Sequence, residues 1–147
     1  MPQDEEIVIS PTDWVADQAK IYEESNGTEG TTMQDGAPCL LLDYRGRRTG
    51  AWRRTVLIYG QDGDDYLIVA SKGGADEHPL WYLNLVAEPD VELRVGAERF
   101  KARAETVPPE DKARLWPGLV EIFPPYADYQ RKTDRDIPVV RLRRTAS

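Results

Sequence analysis

Short apolar runs and alternating stretches divide this chain into elements before any chemistry is considered. Cys39-Leu40-Leu41-Leu42-Asp43-Tyr44, Thr55-Val56-Leu57-Ile58-Tyr59 and Tyr66-Leu67-Ile68-Val69-Ala70 are brief, rich in β formers and separated by Gly- and Asp-containing turns. They predict three strands of an antiparallel meander. Val91-Glu92-Leu93-Arg94-Val95 alternates apolar and polar residues, as a half-buried strand does. Gly96-Ala97 turns it into a hairpin that returns through Arg99 to Ala104. Ile137 to Leu142 reads as a last strand with Pro138 near its start, followed by a short basic tail from Arg143 to Ser147.

Helical spacing appears in four places. After Ser10-Pro11-Thr12-Asp13, which has the form of a capped helix start, Trp14, Val15, Ala19 and Tyr22 share one face, and Asn26-Gly27 ends the run. Pro79 suits a first helical position ahead of Trp81, Leu83 and Leu85. Glu110 to Ile122 predicts a helix with Pro117 as a break or kink. Beyond it, Phe123, Tyr126 and Tyr129 lie three residues apart and so share one side of a helical turn. About six mostly antiparallel strands and three or four helices describe an α+β protein, a small β-barrel with helices packed outside. Residues 1–9 are expected to be a loose arm and residues 10–147 a single domain.

Composition narrows the function. The chain has 147 residues, enough for one domain with a real core, and a net charge of −7. Such a surface repels nucleic acid and anionic lipid as a whole. Cys39 is the sole cysteine, which excludes an internal disulfide framework and favours a reducing compartment. It sits in an apolar strand, where a small core residue is expected rather than a reactive thiol. No apolar run approaches the ~20 residues of a membrane span, and the acidic start lacks a signal-peptide core. The expected location is cytoplasmic. Peripheral contact at the inner face of the cell membrane is compatible with the N-terminal helix, although Asp13, Asp17, Glu23 and Glu24 on its polar face argue against an electrostatic anchor.

Against the negative average, Arg45, Arg47, Arg48, Arg53 and Arg54 crowd one turn bracketed by Gly46 and Gly50. Arginine suits bidentate capture of phosphate or carboxylate. The third strand delivers Ser71-Lys72-Gly73-Gly74, a hydroxyl, a cation and two glycines that let a ligand approach the backbone. Its glycine spacing fits neither a dinucleotide fingerprint nor a P-loop, and a solvated β-to-α turn is the plain alternative. In an antiparallel meander the arginine turn and this loop lie at the same end of the sheet, so both can face one anion.

Gly46-Arg47-Arg48-Thr49-Gly50 with Arg53, then Ser71-Lys72-Gly73-Gly74, then Pro79-Leu80-Trp81-Tyr82-Leu83-Asn84-Leu85 follow one another in an order that resembles the deazaflavin-dependent nitroreductases, actinobacterial split β-barrel proteins that use coenzyme F420. Phe123-Pro124-Pro125-Tyr126-Ala127-Asp128-Tyr129-Gln130, Thr133-Asp134-Arg135 and Ile137-Pro138 extend the resemblance to most of the chain. It implies hydride transfer from reduced F420 to a flat acceptor, a quinone or a nitroaromatic. Arg47, Arg48, Arg53 and Lys72 would meet the anionic tail of the cofactor. Thr55, Ser71, Gly73, Leu80, Trp81 and Asn84 would stand at further cofactor positions, and Val56, Ile58 and Val69 would wall the deazaflavin ring. Hydroxyls of Ser71, Tyr126 or Tyr129 would bond the acceptor oxygen. Phe123 stands where the best-known members have tyrosine, which removes one hydroxyl from that pocket.

Two rival readings remain. Split barrels also hold FMN, though the arginine excess favours a longer anionic tail than one phosphate. A nucleic-acid module using Arg45 to Arg54 is opposed by the net charge and by the absence of interleaved aromatics. A homodimer is expected only by analogy with other split barrels.

Overall fold

The computed structural model describes residues 7–9, 20–25, 38–48, 50–71, 74 and 77–146. Among the described residues eight strands form one sheet: β1 (Ile7–Ile9), β2 (Cys39–Arg45), β3 (Trp52–Ile58), β4 (Gly60–Asp62), β5 (Asp65–Val69), β6 (Asp90–Val95), β7 (Glu98–Thr106) and β8 (Val139–Ala146). Three helices complete it: α1 (Leu80–Ala87), α2 (Pro109–Ile122) and α3 (Pro125–Lys132). Residues 20–24 are also helical.

The sheet order is β1-β3-β2-β6-β7-β8-β5-β4, antiparallel throughout except that β1 runs parallel to β3. Only Tyr59 separates β3, near one edge, from β4, at the opposite edge. A sheet whose two ends are joined through one residue has to roll up. The rolled face encloses Leu40 and Leu42 of β2, Ile68 of β5, Leu93 of β6, Phe100 of β7 and Leu142 of β8, all within 1% of full burial. Each such side chain contributes roughly 1.5–3 kcal/mol by leaving water. Leu85 of α1 closes this core.

Side chains alternate across a strand, so the other face needs its own cover. Leu67, Val69, Val107, Ile137 and Val139 are covered by Leu115 and Leu119 of α2 and Tyr126 of α3. Cys39, Leu41 and Val56 are covered by Tyr22, whose hydroxyl donates toward the Cys39 and Arg94 carbonyls and accepts from the Gly96 N–H. Cys39 is a buried core residue, as its strand setting predicts. The part of the N-terminal helix that is described packs on the domain's own sheet; Trp14 to Ala19 lie outside the described residues.

The expectations differ from this fold in five respects. The described residues hold eight strands, not about six, because β1 and β4, at 3 residues each, are too short for periodicity or propensity to mark. Ile7–Ile9 of the expected loose arm pair with Trp52, Arg53 and Arg54 of β3. The meander does not form: β5 pairs with β4 and β8, not with β3. At Gly60 a Cβ would stand 2.9 Å from Leu119 Cδ2 and 3.1 Å from Ile122 Cδ1, so α2 seats against bare backbone where the chain changes partner. The expected basic tail is strand as far as Ala146, its Arg143 and Arg144 paired with Glu105 and Glu98. Pro117 does not break α2. It and Gly118 are exposed, so the bond that proline forfeits faces water.

Candidate functional site: an arginine turn, a glycine loop and the helix between them

The β2–β3 turn is short and hydrogen-bonded. Gly46 N–H donates to Ala51 O and Gly50 N–H to Gly46 O, both at 2.8 Å, with Gly50 at φ +73°. Strand alternation then sorts the crowded arginines. Arg45 lies 4.8 Å over the Trp52 ring and donates to Gly50 O. Arg54 turns to the helix-covered face and makes a bidentate pair with Asp43, at 2.7 and 2.9 Å, with Glu23 beyond at 3.7 Å. Burial opposes its charge, but these carboxylates outweigh burial and raise its pKa. Arg54 is therefore structural.

Arg47, Arg48 and Arg53 behave differently. Arg54, Arg94, Arg99, Arg114, Arg141 and Arg143 each pair with a carboxylate, whereas among the described residues no carboxylate pairs with Arg47, Arg48 or Arg53. Arg48 is exposed, and Arg47 and Arg53 are half-buried. Arg53 stands opposite Tyr44 in the β2–β3 register; burial raises the Tyr44 hydroxyl pKa while the Arg53 charge opposes that rise. Arg47 is held by Asn84 of α1: its backbone N–H and its Nη1 both donate to Asn84 Oδ1, at 3.0 and 3.2 Å. Asn84 is only 6% exposed.

The loop between β5 and α1 is held from outside. Arg135 donates to Ala70 O at 3.2 Å and to Ser71 O at 2.8 Å, and its Nη1 lies 3.0 Å from His78 Nδ1. Burial first, and then the Arg135 charge, lower the His78 pKa, which favours the neutral ring with Nδ1 as acceptor. Gly74 has φ +83°, and a Cβ there would stand 2.7 Å from the Tyr129 carbonyl oxygen. Lys72 and Gly73 lie outside the described residues.

The remaining expected site residues divide between the two faces of the sheet. Thr55 is buried opposite Leu42 and shares a strand face with Arg53 and Leu57. Trp81 is half-buried against the enclosed core and meets Tyr82 edge-on, and Leu80 is 68% exposed. On the other face, Val56 lies under Tyr22, Val69 lies in the cluster under α2 and α3, and Ile58 packs against both. Tyr126 is buried there, its ring 5.0 Å from Phe123 and 6.4 Å from Tyr129, itself half-buried. The structure thus joins Arg47 to Asn84 and Ser71 to the start of α1. It sets Val56, Ile58, Val69, Tyr126 and Tyr129 across the sheet from Thr55 and Trp81.

Arg135 and His78 carried no assigned role in the sequence reading. Their contacts span 57 residues, and the only signal was the Thr133-Asp134-Arg135 segment of the resemblance. A cavity of about 200 Å³ between α1, β7 and β8 was also missed. Tyr82, Leu85, Ala104, Thr106 and Val140 line it, and the Tyr82 and Thr106 hydroxyls lie 2.8 Å apart.

Residues 14–144 match the model of the F420H(2)-dependent quinone reductase family. The chain belongs to this family. An F420H(2)-dependent quinone reductase of Mycobacterium tuberculosis (strain ATCC 25618 / H37Rv) is 48% identical over 127 residues, 84% of this chain and 85% of that protein. Among solved structures, an F420-H2 dependent reductase, FDR-A, is 38% identical, with TM-score 0.67 over 71% of this chain and 93% of its own. A chain described as a domain-swapped dimer is 37% identical, with TM-score 0.69 over 90% of this chain and 99% of its own. Membership in this family agrees with the resemblance carried by the arginine turn, the glycine loop and α1.

Proposed function

We propose that this protein transfers a hydride from reduced F420 to a quinone. The observation that carries the site assignment is the set Arg47, Arg48 and Arg53, cations without carboxylate partners among the described residues, in a protein whose other arginines mostly have them. Their chemistry fits a cofactor with a phosphate and a carboxylate tail. The half-buried Trp81 and the exposed Leu80 offer the kind of apolar surface a planar ring needs.

Reduced F420, when bound, supplies the hydride. The chain's own residues hold and orient. Arg47, Arg48, Arg53 and Lys72 take the anionic tail, and Asn84 fixes the arginine turn against α1. Thr55, Ser71, Gly73, Leu80 and Trp81 complete the cofactor surface. Val56, Ile58 and Val69, placed by the resemblance as ring walls, belong to the buried face here and support the ring from behind the strands. Ser71 and Tyr129, whose backbone lies against Gly74 of the loop, serve the acceptor side, where a hydroxyl stabilises the developing oxyanion, while Tyr126, buried across the sheet against Phe123 and Trp116, packs behind them. The rolled sheet is the split barrel, the protein pairs as a homodimer, and it meets its quinone at the inner face of the membrane. Nitroaromatics are accepted as substitutes for the quinone.

Gel filtration of the protein mixed with F420 or FMN, followed by absorbance, tests the cofactor. F420 should co-elute and FMN should not. Oxidation of reduced F420 with a soluble menaquinone analogue tests the reaction. Tight FMN retention with no F420 binding would overturn the reading.

A further inference from the structure

We infer that Arg135 is a positioning residue of the cofactor site, a single guanidinium that ties the end of β5, at Ala70 and Ser71, to His78 ahead of α1. The inference rests on the reading above, in which the loop between β5 and α1 faces F420.

One end of the loop is held at Ala70 O and Ser71 O, and the other at His78 Nδ1, all by Arg135. The Ser71 carbonyl also accepts from the Gly74 N–H at 2.9 Å, so the guanidinium grips the turn through an atom the turn itself uses. Between these points Gly74 lies against the backbone of Tyr129. Ser71, Gly74 and His78 are therefore positioned by α3 and by the residues that follow it, elements about sixty residues away in the chain. A side chain with one donor centre reproduces one of these contacts; the planar fork of arginine reaches several at once.

The device has a built-in reporter. His78 is the chain's only histidine, so its ring proton resonances need no assignment. Among the described residues the groups facing it are the Arg135 guanidinium and the Tyr82 ring at 4.9 Å, whose hydroxyl is engaged with Thr106; the adjacent Glu77 is exposed. Protonating His78 removes the acceptor and sets two cations side by side. The tie is therefore complete above the ordinary histidine range and is lost as pH falls through the lowered value.

The test uses the full chain. Proton NMR of His78 against pH is recorded for the wild type, Arg135→Gln and Arg135→Lys, and F420 affinity is titrated for each. In Arg135→Gln the His78 pKa should rise toward its ordinary value, and F420 affinity should fall about tenfold, while turnover at saturating F420 changes much less. Arg135→Lys keeps the charge, so it should hold the His78 pKa down yet still lose several-fold in affinity; if the glutamine variant does not fold, this pair of readouts decides. An unmoved His78 pKa in folded Arg135→Gln would overturn the tie. A moved pKa with wild-type F420 affinity would overturn its role in positioning the loop. Failure of the wild-type protein to bind F420 would sink the functional reading instead, and the histidine titration would still decide the tie.

Discussion

Arg47 and Asn84 share a single oxygen: the backbone N–H and the guanidinium of Arg47 both donate to Asn84 Oδ1. This buried amide joins the β2–β3 turn to α1. Asn84→Ala removes the acceptor and leaves the turn amide unpaired, at a cost of about 1–2 kcal/mol in stability. F420 affinity should fall several-fold because Arg47 loses its fixed position. Urea denaturation and F420 titration check the two effects separately. Wild-type affinity in a destabilised variant would show that the turn does not need this anchor.

Adjacent arginines on β3 should fail in opposite ways. Arg54→Met strands the Asp43 carboxylate, only 3% exposed, and should cost about 3–5 kcal/mol. Arg53→Ala should barely alter stability but weaken F420 binding, with a loss that shrinks as salt rises. Pairing Arg54→Met with Asp43→Leu should recover part of the stability, since Asp43 is no longer left buried alone while the buried Glu92 beside it still loses the Arg54 countercharge. Equal loss of F420 affinity in folded variants of both positions would refute the division.

Gly74→Ala meets two obstacles. At φ +83° an added Cβ is strained whatever the space, and the nearest atom is the Tyr129 carbonyl oxygen at 2.7 Å. Left-handed geometry alone costs about 1–2 kcal/mol, and the contact with backbone cannot be relieved by turning a side chain. The variant should lower the melting temperature and weaken F420 binding together. Gly63→Ala, also at positive φ but with no atom near its Cβ, should cost only the backbone part and leave binding intact.

Acid should release the helical stretch at residues 20–24. Burial works to raise the Glu23 pKa, but Arg94, Arg54 and Arg99 together bring it below its ordinary value. A carboxyl lowered in the folded state stabilises fully above its unfolded pKa, and that stability is lost as pH falls from there through the lowered value. Asp62, held down by Arg114 and Arg141, adds to the same slope. Glu23→Gln should therefore be less stable than the wild type at pH 7 and lose less between pH 5 and pH 3. Urea midpoints across that range measure it; identical slopes would exclude Glu23 as a contributor.

The sequence by itself determined the local elements and the chemistry available to them. Apolar runs marked β2, β3, β5 and β6, helical spacing marked α1, α2 and α3, and ordered short motifs pointed to the F420 family. These features are legible because period, propensity and motif order are properties of neighbouring residues. Partners were not. β5 lies beside β4 and β8 rather than β3, a pairing between segments up to about seventy residues apart that no local pattern encodes. Which arginines remained available was decided by strand alternation combined with register: Arg54 turned to the helix-covered face and met Asp43 there, and Arg53 next to it turned to the other face. Arg135 took hold of Ser71 and His78 only because the rolled sheet returned the chain to the end of β5. A charge acts through distance in space, and only the tertiary structure sets that distance between residues far apart in the chain.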